Sequence, residues 1–179
     1  MASAVDIKAM IRTIPDFPKA GVQFRDITTL LKAPSGLREV VDRLVAGYAN
    51  ERIDKVAAIE SRGFILGGAL AYRFGAGFVP IRKKGKLPAE NFGEDYALEY
   101  GRDRLEVHRD ALARGERVLL VDDLVATGGT AEAATRLIRT AEASLVGCAF
   151  VIDLPDLGGR ARLESLGYRV LTLCEFSGH

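Results

Sequence analysis

What is scarce in this 179-residue chain narrows its function as much as what is present. Excess charge is lacking: 25 Lys and Arg stand against 24 Asp and Glu, a net of +1. Bulk attraction to nucleic acid or to a membrane surface is therefore not expected. No apolar run approaches the roughly 18 residues from which a membrane helix is read. The opening MASAVDIKAMIRTIPDFP has no continuous apolar stretch of the kind a secretory leader carries, so a cytoplasmic protein is expected. The two cysteines, Cys148 and Cys174, lie inside apolar stretches with no CxxC spacing and no nearby His. They read as core thiols in a reducing compartment. His108 and His179 have no ligand spacing, and no chemistry is assigned to them. Neither GxxxxGK[ST] nor GxGxxG occurs, so an ATPase or a dinucleotide enzyme would lack its residues. There is no repeat, low-complexity tract or linker, and the length fits one domain, residues 1–179.

What is present alternates. Residues 4–13 read as a short helix, followed by an extended stretch held by Pro15 and Pro18. The clearest helix is 37–48, where Leu37, Val40, Val41, Leu44, Val45 and Tyr48 share one face and Ser35 is placed to cap it. Strands are expected at 56–59, 78–81, 117–121, 145–152 and 168–173, and helices at 64–74 and 130–141. Residues 83–95, broken by Gly85, Pro88 and Gly93, read as a loop. Segments 96–100 and 105–108 flank 101–103 as a hairpin or flap. Strands alternating with helices predict an α/β fold, its mostly parallel sheet covered on both faces.

The richest run is VLLVDDLVATGGT, residues 118–130. Four apolar residues lead into Asp122 and Asp123. Two adjacent carboxylates suit the neighbouring hydroxyls of a sugar, and they can help hold Mg²⁺ on a phosphorylated sugar. Ala126, Thr127, Gly128, Gly129 and Thr130 then supply backbone N–H groups, two hydroxyls and close approach ahead of a helix N-terminus, which suits a monophosphate. Arg62 comes after an expected strand and precedes Gly63, a setting suited to a pyrophosphate oxygen. Arg82, Lys83, Lys84 and Lys86 form a basic run, which alone would read as a solvated loop.

This run resembles the 5-phosphoribosyl pyrophosphate (PRPP) signature of the type I phosphoribosyltransferases. Four further stretches narrow the resemblance to the adenine phosphoribosyltransferases across essentially the whole chain: PDFPKAGVQFRDIT (15–28), ESRGF (60–64), IRKKGKLP (81–88) and YALEYG (96–101). The resemblance implies a single α/β domain with a small N-terminal hood, about 1–34, and a flexible flap, about 83–108. It implies transfer of a phosphoribosyl group from PRPP to adenine. Arg62, Arg82, Lys83 and Lys86 would meet the pyrophosphate, with Lys84 peripheral. Asp122 and Asp123 would anchor the ribose, and the residues from Ala126 to Thr130 the 5-phosphate. Glu99 would handle the proton leaving the base, and Tyr100 would help close the site. Phe24 would stack on the purine with Leu154 on its other face, while the backbone near Gln23 and Arg25 reads its edge. Gln23 departs from the small apolar residue frequent at its position. Mg²⁺ would be carried mainly by PRPP and water, with Asp122 and Asp123 as candidate ligands. A homodimer is implied, since one subunit's loop can complete its neighbour's site. A phosphoribosyltransferase for another purine and a PRPP-sensing regulator without turnover remain open at this stage.

Overall fold

Arg12–Pro15 and Gln23–Asp26 pair antiparallel as β1 and β2, with Arg12 opposite Asp26. The structure, a computed structural model, describes residues 5–97 and 101–178. The helix expected over 4–13 is reduced, among the described residues, to one 3-10 turn at Lys8–Met10. Ile7 and Ile11 turn into the core at its two ends. The β-branched Thr13 and Ile14 then favour the extended chain that β2 recruits.

Asp26 ties this hairpin down. Its buried carboxylate accepts hydrogen bonds from Arg12 Nη2 at 2.5 Å and from the Thr28 amide at 2.9 Å. The Arg12 guanidinium, helped by Thr28, holds its pKa at about 2 instead of the usual 3.8. A carboxylate with a depressed folded pKa contributes stability above its unfolded value and loses it as pH falls through the folded one. Asp26→Asn should therefore lower the melting temperature by a few degrees at pH 7. That deficit should close between pH 4 and pH 2. Thermal melts of both proteins across this range check the expectation; a deficit that stays constant to pH 2 rules out the ion pair as its source.

Beyond the hairpin, Thr28–Leu31 forms a single helical turn, α1, and Pro34–Gly47 forms α2. Pro34 opens α2 at its first position, where a missing N–H costs nothing, so Ser35 lies inside the first turn instead of capping it. The chain then runs β3 (Lys55–Ile59), α3 (Arg62–Phe74), β4 (Gly77–Lys83), β5 (Asn91–Ala97), β6 (Arg102–His108), β7 (Arg117–Val125), α4 (Gly129–Thr140), β8 (Ser144–Asp153), α5 (Gly159–Ser165) and β9 (Val170–Glu175). The loop expected to run to residue 95 gives way to β5 at Asn91. β5 pairs with β6 residue for residue and buries Tyr96.

Seven strands form one sheet in the order β5-β6-β4-β3-β7-β8-β9. The five from β4 to β9 are parallel, and β6 and β5 extend one edge antiparallel. The fold is thus the α/β layer structure that alternation predicts. The parallel strands are apolar on both faces, as KVAAI in β3 illustrates, because helices cover both sides. Phe150, Ile138 and Leu163 centre the core under α4 and α5. Leu44, Leu66 and Ile27 centre the core under α2, α3 and the hairpin. Among the described residues no helix is long and apolar enough to cross a membrane.

Candidate functional site

The carboxyl ends of β4, β3 and β7 lie side by side in the sheet. The segments leaving these three strands therefore converge. A cavity of about 360 Å³ opens there, lined by Glu60, Ser61 and Arg62 after β3, Lys83 at the end of β4, and the chain from Asp122 to Ala131. Such a crevice outside parallel strand ends is the common ligand position in open α/β sheets.

The strand expected to stop at Val121 continues to Val125. Asp122 pairs in register with Phe150, and Leu124 with Ile152, so the carboxylates are presented from a strand and not from a loop. Backbone pairing to β8 holds them more rigidly than a turn would. Asp123 is 4% exposed and accepts from Arg62 Nε at 2.5 Å. Asp122 lies beneath the start of α3, where a Cβ on Gly63 would sit 2.9 Å from its Oδ1. Burial, with the charge of Asp123 beside it, pushes the Asp122 carboxyl well above the usual carboxylate range. Without a ligand the pair thus resists carrying two full charges.

Gly128 has a φ of 81°, which ends the loop and admits α4 at Gly129. The first amides of this twelve-residue helix lack intrahelical partners and line the cavity, a setting for an anion. Behind the loop, the Gly159 amide donates to the Ala126 carbonyl at 2.9 Å. Any Cβ at Gly159 would lie 2.3 Å from that oxygen and 2.6 Å from the Gly128 nitrogen. The chain of α5 is therefore packed directly on the phosphate-type loop, and Arg162 of α5 is ion-paired to Glu132 of α4.

Glu60 organises the basic run. Its carboxylate accepts from the Lys83 amide, from Lys86 Nζ at 2.8 Å and from Arg82 Nη2 at 3.5 Å. Burial alone would raise its pKa, but Lys86 and the Lys83 amide outweigh burial and bring it below the usual range. Lys83 Nζ also bonds the Tyr96 hydroxyl at 2.6 Å and pairs with Asp103, which links the cavity to the β5–β6 hairpin.

Asp122, Asp123, Arg62, Lys83 and residues 126–130 thus meet in one cavity, with Arg82 and Lys86 joined to its rim through Glu60. Phe24 reaches it through Arg62, whose guanidinium carbon lies 5.4 Å from the ring centroid. Gln23, Arg25 and Leu154 do not line it. Gln23 pairs with Pro15 in the hairpin, the Arg25 side chain turns to Thr13 and Ser177, and Leu154 is buried beside the turn after β8. Glu99 and Tyr100 lie outside the described residues. Glu60 and Gly159 have no role that the sequence alone assigns. Glu60 is visible only as the first residue of ESRGF, and Gly159 only as half of a Gly-Gly pair after Pro155. No group of three or more His, Cys, Asp or Glu suited to a metal occurs among the described residues.

The chain is similar to known proteins in sequence and fold. The model of the phosphoribosyl transferase domain matches residues 26–171. An adenine phosphoribosyltransferase of Methylobacillus flagellatus is 62% identical over 172 residues, 96% of this chain and 98% of the relative. The crystal structure of adenine phosphoribosyltransferase from Rhodothermus marinus superposes with a TM-score of 0.91 at 52% identity, covering 95% of this chain and 96% of that one. The Saccharomyces cerevisiae enzyme, complexed with an imino-altritol bisphosphate and adenine, superposes with a TM-score of 0.87 at 38% identity, over 94% of this chain and 96% of its own.

Proposed function

This chain belongs to the adenine phosphoribosyltransferase family, and from that premise we propose how its site divides the work. The enzyme transfers the 5-phosphoribosyl group of PRPP to N9 of adenine, giving AMP and pyrophosphate, a step of purine salvage. One observation carries the division of labour. Three adjacent strand ends bring paired carboxylates, Arg62, Lys83 and a helix N-terminus to one cavity.

The α4 N-terminus and residues 126–130 take the 5-phosphate, and Asp122 and Asp123 accept hydrogen bonds from the ribose hydroxyls. Arg62, Arg82, Lys83 and Lys86 face the pyrophosphate. The bond from the ribose C1 to a pyrophosphate oxygen breaks as the bond to N9 forms, and the sugar passes through oxocarbenium character. The cations stabilise the charge that collects on the departing group, and Asp123 exchanges Arg62 for the sugar when substrate enters. Glu99 takes the proton lost from N9 and Tyr100 closes over the site; the family resemblance supports both roles. Phe24 and Leu154 flank the purine, with the backbone of Gln23 and Arg25 at its edge.

Mg²⁺ belongs to the same reading. A site with two carboxylates, one of them already paired with Arg62, fits an ion held chiefly by PRPP oxygens and water. Asp122 and Asp123 would be its protein ligands, and the bound ion would neutralise pyrophosphate charge. The free thiols of Cys148 and Cys174 support a reducing, cytoplasmic setting. Ile65 and Tyr72 on α3 and Phe78 on β4 leave apolar surface exposed that a second copy would cover in a homodimer.

Purified protein with PRPP, Mg²⁺ and a panel of adenine, hypoxanthine, guanine and xanthine tests the assignment. AMP should form from adenine, with the other bases turned over far more slowly. Turnover of hypoxanthine or guanine without AMP formation from adenine would reassign the substrate.

A further inference from the structure

The chain after β9 links the turn that follows β8 to the N-terminal hairpin. On one side, the Phe176 amide donates to the Asp153 carbonyl at 3.1 Å and the Gly178 amide to Asp156 Oδ2 at 2.7 Å. These two acceptors bracket Leu154. The Phe176 ring is half-buried against the core cluster that holds Leu154. On the other side, the same ring carries two cations of the hood. The Arg25 guanidinium carbon lies 4.5 Å from its centroid and Lys8 Nζ lies 5.0 Å from it. Arg25 Nη2 donates to the Ser177 carbonyl at 3.0 Å, and its Nη1 reaches Thr13 Oγ1 at 2.6 Å. Arg25 is therefore committed to the chain end and to β1, although its neighbour Phe24 is the residue turned toward Arg62.

We propose that residues 175–178 form a strap that sets the spacing between the hood and the Leu154 turn, with Phe176 as a positioning residue for the purine. The inference rests on the reading that Phe24 and Leu154 flank the base. Phe176 touches neither substrate. It acts through Arg25, whose backbone adjoins Phe24, and through the backbone at Asp153, which adjoins Leu154. Among the described residues β1 and β2 pair only with each other, so no ladder hydrogen bond there ties the hairpin to the seven-stranded sheet. Its distance from the Leu154 turn must come from side-chain packing, and the strap supplies contacts to both.

The predicted kinetic signature is one-sided. In full-length Phe176→Ala, the KM for adenine should rise about fivefold, the value of one lost cation–π contact of ordinary strength. The KM for PRPP should move far less, because the PRPP cavity lies on β3, β4 and β7. Phe176→Tyr keeps a ring in place and should restore the parental adenine KM. Phe24→Ala, assayed alongside, separates the two ideas. If Phe24→Ala raises the adenine KM and Phe176→Ala does not, the strap is overturned and the base subsite stands. If Phe24→Ala leaves the adenine KM unmoved, the base subsite falls and the strap with it. Equal rises in both KM values for Phe176→Ala, with a lowered melting temperature, would reduce Phe176 to a fold residue and overturn the proposal.

Discussion

Asp122→Asn combined with Asp123→Asn should reduce kcat/KM for PRPP by about a thousandfold while the protein stays folded. Each carboxylate would accept hydrogen bonds from a sugar hydroxyl, and bonds to a charged group contribute about 2 kcal/mol apiece. Two of them amount to about 4 kcal/mol, or three decades in rate. Asn keeps the size of Asp and one carbonyl acceptor, so the loss reports charge and not shape. Retention of the fold has its cause in the same pair. The Asp122 pKa is raised by burial and by Asp123, so its ionised form is disfavoured in the native state. Such a group withdraws stability as pH rises through its unfolded pKa, and an amide removes that penalty at neutral pH. Opposing this, Arg62 loses its partner, but its side chain is 36% exposed and keeps contact with water. Steady-state kinetics in PRPP and a thermal melt at neutral pH check the result. Turnover within tenfold of the parent, with an unchanged melt, would remove the carboxylates from the ribose site.

Gly159→Ala should lower kcat/KM for PRPP by about a hundredfold, the order expected when a binding element is misplaced by about 1 Å. The added methyl would stand 2.3 Å from the Ala126 carbonyl and 2.6 Å from the Gly128 nitrogen. Both are backbone atoms, so neither can rotate aside, and the loop itself must retreat. The amides proposed to meet the 5-phosphate would retreat with it. Gly68→Ala is the matched control, because a Cβ there meets nothing within 4 Å. The adenine KM should respond less than the PRPP KM. Unchanged PRPP kinetics in Gly159→Ala would show that the loop is not seated by α5.

The parts legible in the sequence are those whose cause is local. The α2 helix declares itself through one apolar stripe. The phosphate-type loop declares itself through a dense run of glycines and hydroxyls after an apolar strand. The parts that stay hidden depend on partners distant in the chain. β1 exists because β2 pairs with it and Asp26 draws Arg12 across 14 residues. β7 runs through Asp122 and Asp123 because β8 offers it an aligned partner; polarity alone suggests an end to the strand. The seven-residue α5 is too short to show periodicity and persists through buried Leu163 and the Arg162–Glu132 pair. Glu60 is readable as a letter but not as a hub, since its cations come 22 to 26 residues later.

The adjacency of β4, β3 and β7 turns the sheet into a measuring device. Neighbouring strands keep a separation of about 4.8 Å set by backbone hydrogen bonds, whatever side chains they carry. The groups proposed to meet the two anionic ends of PRPP hang from consecutive graduations of that ruler. Substitution can retune the charge or bulk at each mark. It cannot slide the marks apart without unpairing the sheet. On the proposed division of labour, selection acting on this chain is free to explore the base at the separately mounted hairpin, while the span offered to the phosphorylated sugar is inherited with the fold.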